Sequence, residues 1–100
     1  MNLGVNVPLD SVEAFCRKWE IVEFGFFGSV LREDFGPDSD VDVLVTFALG
    51  SHWSAFDIVY MRDELVGIFG RDVDLVEKDA IRNPFRRQAI LSSYVVFYAP

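Results

Sequence analysis

This 100-residue sequence contains one cysteine and one histidine, and neither has a second of its kind to work with. Cys16 cannot close an intrachain disulfide, so no oxidising compartment is implied. His52, beside Trp53 in a polar stretch, is the sole imidazole and cannot build a transition-metal centre; it reads as a surface residue. No run approaches the roughly 20 apolar residues of a membrane span, and residues 1–5 lack a basic leader pattern. The chain is therefore expected to be cytoplasmic, with no membrane partner. Basic residues are also scarce. Nine against sixteen acidic residues give a net charge of -7, which removes the counterion-release term behind most nucleic-acid binding. Direct binding of DNA or RNA is excluded on that ground.

What the sequence does have is apolar mass. It is 51% hydrophobic, with ten phenylalanines and two tryptophans, enough to build one core but too short for two. Residues 1–100 are read as a single domain. Val12, Phe15, Cys16 and Trp19 recur at i, i+3, i+4 and i+7 and predict an amphipathic first helix capped by Asp10 or Ser11. Residues 21–27 read as a strand ending at Gly28-Ser29, followed by a brief helical turn over residues 29–32 and a loop rich in turn residues. Residues 40–47 read as a second strand. Phe56, Val59, Tyr60, Leu65, Val66 and Phe69 predict a long helix ended by Gly70, with Asp57, Asp63 and Glu64 on its outward side. Residues 71–76 predict a third strand, Asn83-Pro84 opens a helix through Leu91, and residues 95–98 close as a fourth strand.

This order, αβαβαβαβ, predicts an α/β (α+β) domain with helices packed on one four-stranded sheet. The link between the first two strands is too short for a helical crossover and favours an antiparallel pair, so the sheet is expected to be mixed.

The polar residues of this frame gather at strand ends. Gly28 ends a strand, where Gly-Ser either makes a plain turn or lets the backbone approach a ligand closely, and the first amides of the following turn carry positive partial charge that suits a phosphate. In the second strand, period 2 puts Val41, Val43, Val45 and Phe47 on one face and Asp40, Asp42, Leu44 and Thr46 on the other. Two like charges side by side cost stability unless they are solvated or bind a cation. A third acid comes from the third strand, where Asp72 and Asp74 both lie opposite Val73 and Leu75, and alternation does not choose between them. Three such carboxylates make an all-oxygen site for one or two Mg²⁺ ions, about 3.5–4 Å apart when paired, with substrate phosphates completing the shell.

Gly28-Ser29, ten intervening residues and then Asp40-Val41-Asp42 resemble the signature of the minimal nucleotidyltransferases, a branch of the polymerase-β-like nucleotidyltransferase superfamily. The flanking residues 27–32 and 39–45, residues 70–76, residues 81–87 and Tyr98 are similar to that branch as well. The resemblance selects Asp74 over Asp72. It implies that Asp40, Asp42 and Asp74 hold Mg²⁺ and form the catalytic set, with Asp74 also a candidate general base. Gly28 and Ser29 would then bind the β- and γ-phosphates of ATP. Arg32 matches a position usually basic in the family and would meet a phosphate, or pair with Glu33 or Asp34. Ser39 would meet a phosphate or cap its loop.

The resemblance further implies a partner, a HEPN toxin that the protein neutralises as an antitoxin by transferring AMP from ATP to a tyrosine. Two alternatives accompany it: neutralisation by contact alone, and transfer to a small molecule held by a separate subunit. The basic cluster Arg82, Arg86 and Arg87 suits an acidic partner or a solvated face, and Trp53, Phe56 and Phe85 are candidates for a homodimer face.

Overall fold

Pro8 precedes the first helix of the computed structural model, which describes residues 6–32, 36 and 38–99. With φ -75° and ψ 103° it holds the extended backbone that precedes a helix, and its carbonyl accepts from the Val12 amide at 3.1 Å. Helix α1 therefore runs over Leu9–Lys18 and starts before Asp10 or Ser11 could cap it. Neither residue caps. Asp10 lies inside the first turn, where its charge still meets the positive end of the helix. Val12, Phe15 and Cys16 form the buried stripe, and Trp19 follows at the C-terminal end.

Strand β1 spans Ile21–Phe27, a 3-10 turn covers Gly28–Leu31, and β2 spans Val41–Phe47. Helix α2 covers Ala55–Phe69, β3 Val73–Glu77, α3 Pro84–Ser92 and β4 Val95–Tyr98. A reciprocal cap starts α2, with Ser54 accepting from the Asp57 amide while Asp57 accepts from that of Ser54, so Asp57 is part of the helix end and not merely a solvated charge. Gly70 ends α2 at φ 73°, and its amide donates to Val66 O at 2.8 Å. Glu64 also departs from the outward face expected of it. It pairs with Lys18 and accepts from the Trp19 indole at 3.1 Å.

The sheet order is β3-β2-β1-β4. β1 is antiparallel to both β2 and β4, whereas β2 and β3 are parallel, so the sheet is mixed as the short β1–β2 link requires. Helix α2 supplies the crossover between the two parallel strands. One face of the sheet, with Phe24, Phe26, Val41, Val43 and Val45, packs on Val12, Phe15 and Cys16 of α1 and Met61, Leu65 and Phe69 of α2. Edge-to-face aromatic contacts link its layers, Phe26 meeting Phe24, Phe69 and Phe97 at centroid distances of 5.6, 5.8 and 5.7 Å. The second face carries Phe27, Leu44 and Val76 under Ile90 of α3 and Ile81. Among the described residues no helix is long and apolar enough to cross a membrane.

Burial pushes the Cys16 thiol up to about 12, with Glu13 adding to the shift. The thiol is thus held neutral and inert inside the core.

Two glycines give a test of opposite sign. A Cβ at Gly25 would lie 2.4 Å from Val95 O and 2.3 Å from Tyr94 Cε1, whereas one at Gly67 on α2 meets nothing within 4 Å. Urea unfolding should show Gly25→Ala losing about 1–3 kcal/mol through overpacking. Gly67→Ala should gain about 0.5–1 kcal/mol, because it relieves a mid-helix glycine.

Candidate active site

Phe27, the last residue of β1, stands opposite Asp42 of β2. The chain then turns through Gly28 at φ +70°, a conformation that disfavours any side chain. Space gives a second reason for glycine here, since a Cβ would sit 2.4 Å from Asp42 Oδ2. Backbone and carboxylate are thus in direct contact. The Ser29 amide hydrogen-bonds the Asp42 carboxylate, and the Ser29 hydroxyl donates to Asp40 O at 3.3 Å. On its other side the Gly28 amide donates to Ser93 Oγ at 3.4 Å, which ties the turn to the end of α3.

β3 completes the arrangement. The parallel register sets Asp42 directly opposite Asp74 and Val41 opposite Val73, so both acids project from the same face of adjacent strands. Asp72 lies just before β3, where its carbonyl accepts from the Val41 amide at 2.9 Å. Its side chain lines a polar recess of about 320 Å³ with Asp38, Ser39, Asp40, Gly70 and Arg71.

Partial burial raises the Asp42 pKa from the ordinary aspartate value. The Ser29 amide opposes that rise, the negative charges of Asp74 and then Asp40 add to it, and Arg32 opposes it. Asp40, Asp74 and Arg32 therefore each act on Asp42 electrostatically. The expected close convergence of three carboxylates is not met, for among the described residues no three acidic, histidine or cysteine side chains form a ready metal cluster. Asp40 and Asp74 are exposed, and repulsion among three like charges favours leaving them in water. The donor set nevertheless fits Mg²⁺, which takes hard oxygen ligands and needs only one or two carboxylates beside substrate phosphates.

The other expected residues fall into place around this group or away from it. Ser39 serves its loop, accepting from the Gly36 amide at 3.1 Å, while its own amide donates to Gly36 O at 3.1 Å. Glu33 and Asp34, named as partners for Arg32, lie outside the described residues. His52 is exposed and borders a cavity of about 470 Å³ with Glu77 and Asp79, at the far ends of β2 and β3 from Asp42. The basic cluster divides: Arg87 donates to Lys78 O at 2.7 Å, while Arg82 and Arg86 are exposed. Trp53 is no surface aromatic, because its ring packs on Trp19 and its indole donates to Trp19 O at 3.0 Å. Phe56 and Phe85 are exposed, at 77% and 83%. Ser93 and Arg71 were assigned no role from the sequence. Ser93 gives no local signal, and Arg71 stands within the similar stretch 70–76 without a chemistry of its own.

A turn that offers amides beside a group of carboxylates, at the ends of an antiparallel and a parallel strand pair, has counterparts among known proteins. The model of the nucleotidyltransferase domain family matches residues 10–97. A Methanocaldococcus jannaschii protein named "Putative protein adenylyltransferase MJ0435" is 35% identical over 93 residues, covering 93% of this chain and 97% of that one. The chain belongs to the nucleotidyltransferase domain family, in its minimal branch, and is a nucleotidyltransferase. Two solved structures share the fold. One, of a toxin-antitoxin with AMP-PNP, superimposes with a TM-score of 0.74 at 16% identity, covering 91% of this chain and 73% of that one. The other, of a tri-AMPylated Shewanella oneidensis HEPN toxin in complex with its MNT antitoxin, gives 0.67 at 15% identity, covering 91% and 69%.

The raised Asp42 pKa has a consequence for stability. A carboxyl titrating higher in the fold than in the unfolded chain favours folding fully at low pH, and that contribution is lost as pH rises through the folded value. Asp42→Asn should therefore raise the thermal midpoint of the metal-free protein at pH 8, with the gain shrinking as the pH falls toward 4. Gly28→Ala should lower the midpoint at every pH, since it forces a side chain onto Asp42 and costs about 1–2 kcal/mol for the left-handed backbone alone.

Proposed function

We propose that this chain is a Mg²⁺-dependent protein adenylyltransferase of the cytoplasm, an antitoxin that moves AMP from ATP to a tyrosine of a cognate HEPN toxin. Residues 1–100 act as one nucleotidyltransferase unit in this reading. The observation that carries it is the register of β2 and β3, which pairs Asp42 with Asp74 beside the amides of the Gly28-Ser29 turn. The relative named as an adenylyltransferase and the two toxin-antitoxin structures of the same fold support the choice of nucleotide and partner.

Asp40, Asp42 and Asp74 would hold Mg²⁺, which when bound supplies neutralising charge on the phosphates and polarises the α-phosphorus. Gly28 and Ser29 would bind the β- and γ-phosphates through backbone amides that exchange Ser93 Oγ and the Asp42 carboxylate for phosphate oxygens, while the Ser29 hydroxyl stays on Asp40 O. Arg32, already within electrostatic reach of Asp42, would meet a phosphate oxygen, and Ser39 would offer its hydroxyl proton to another. The acceptor oxygen attacks the α-phosphorus in line, a new P–O bond forms as the bond to the β-phosphate oxygen breaks, and pyrophosphate leaves. Asp74, exposed at the start of β3, is the group that would take the acceptor's proton.

Incubation with α-labelled ATP, Mg²⁺ and the product of the neighbouring gene should transfer label to a tyrosine of that protein. Asp40→Asn combined with Asp42→Asn should cut incorporation by about 10²-fold or more, the scale expected when transition-state charge loses its compensation. Absence of label with the unaltered chain would refute the reading. Full neutralisation of the toxin by the double variant would instead favour binding by contact.

A further inference from the structure

Asp40 lies just outside β2, which begins at Val41, and the strand bond nearest to it is the Val41 amide on Asp72 O at 2.9 Å. The direction of Asp40 is restricted, because both peptide groups that flank its Cα are held. On one side, Arg71 Nη1 donates to Ser39 O at 3.4 Å and to Gly36 O at 3.0 Å. On the other, the Ser29 hydroxyl donates to Asp40 O at 3.3 Å. Holding both peptide groups restricts φ and ψ between them, and with them the direction of the Cβ. The Gly36–Ser39 turn is further closed by the Gly36 amide on Ser39 Oγ and the Ser39 amide on Gly36 O, both at 3.1 Å, so the guanidinium grips a formed loop. Arg71 is half-buried and lines the same recess as Asp38, Asp40 and Asp72, where its charge offsets theirs.

We propose that Arg71 is a positioning residue for nucleotidyl transfer: by bridging the carbonyls of Gly36 and Ser39 it aims the Asp40 carboxylate toward Asp42 and Asp74. This rests on the reading of the three acids as the Mg²⁺ ligands. The planar fork of arginine suits the task, since one nitrogen spans two carbonyls while the delocalised charge faces the recess. A lysine supplies the charge as a single point and restores only part of the hold.

The test compares unaltered protein with Arg71→Gln and Arg71→Lys. Arg62→Gln serves as control, removing an arginine that also caps the β3 end, through Nε to Val73 O at 3.2 Å, without touching the loop. Two quantities are measured: Mg²⁺-dependent binding of a non-hydrolysable ATP analogue by calorimetry, and residue-resolved amide exchange. Arg71→Gln should raise the Mg²⁺ concentration for half-saturation by about 10–100-fold, the usual effect of losing the group that orients a ligand. Arg71→Lys should fall between it and the unaltered protein, and Arg62→Gln should match the latter. Exchange at Ser39, Asp40 and Val41 should accelerate in Arg71→Gln while Phe24 to Phe26 in β1 keep their protection. Unchanged Mg²⁺ dependence in Arg71→Gln, or equal acceleration in β1 and at Asp40, would overturn the assignment while leaving the three-acid reading intact. No Mg²⁺-dependent nucleotide binding by the unaltered chain would remove the three-acid reading, and the positioning role with it.

Discussion

The parallel pairing of β2 with β3 is the constraint on which the site depends. Each strand opens with Val-Asp and continues with valines and leucines, and the observed register buries Val41, Val43 and Val73 together. That register also brings Asp42 against Asp74. Slipping it by one residue would turn every side chain of β3 to the other face, exposing Val73 and driving Asp74 into the core. The hydrophobic rows thus hold two like charges side by side that would otherwise separate. The Asp42 pKa is raised first by burial and then by Asp74 and Asp40, while the Ser29 amide and Arg32 oppose the rise and Gly28 leaves the carboxylate room.

The remaining elements serve that pair at one end of the sheet. β1 delivers the Gly28 turn because it runs antiparallel to β2 and therefore ends where β2 begins. Helix α2 returns the chain so that β3 starts at the same end, and α3 finishes with Ser93 against the Gly28 amide. At the opposite end, a cap, a cavity and the exposed His52 gather around the start of α2 without acidic partners from strand beginnings.

Much of this was legible in the sequence, for reasons that can be named. β1 and β4 were bounded correctly because runs of β-formers ended at glycine or tyrosine, and Gly70 marked the end of α2. Strict alternation put Asp40 and Asp42 on the face opposite the valines, and a short link foretold the antiparallel pair. Asp72 and Asp74 shared a face and could not be separated by period alone; strand register separates them, and register depends on residues far apart in the chain. The same holds for Ser93 and Arg71, whose partners lie 65 and 35 positions away. Where local cues misled, tertiary packing was responsible. Pro8 displaced the expected cap, and Trp19 drew Trp53 and Glu64 out of solvent.

The central claim is that Asp42 and Asp74 together receive a divalent cation beside triphosphate bound at Gly28-Ser29. A crystal structure grown with Mn²⁺ and a non-hydrolysable ATP analogue tests it most directly, because the anomalous signal of manganese locates the ion independently of interpretation. The account predicts a peak between the carboxylates of Asp42 and Asp74, with the terminal phosphates against the amides of Gly28 and Ser29. Manganese elsewhere, or a nucleotide bound away from that turn, would contradict it.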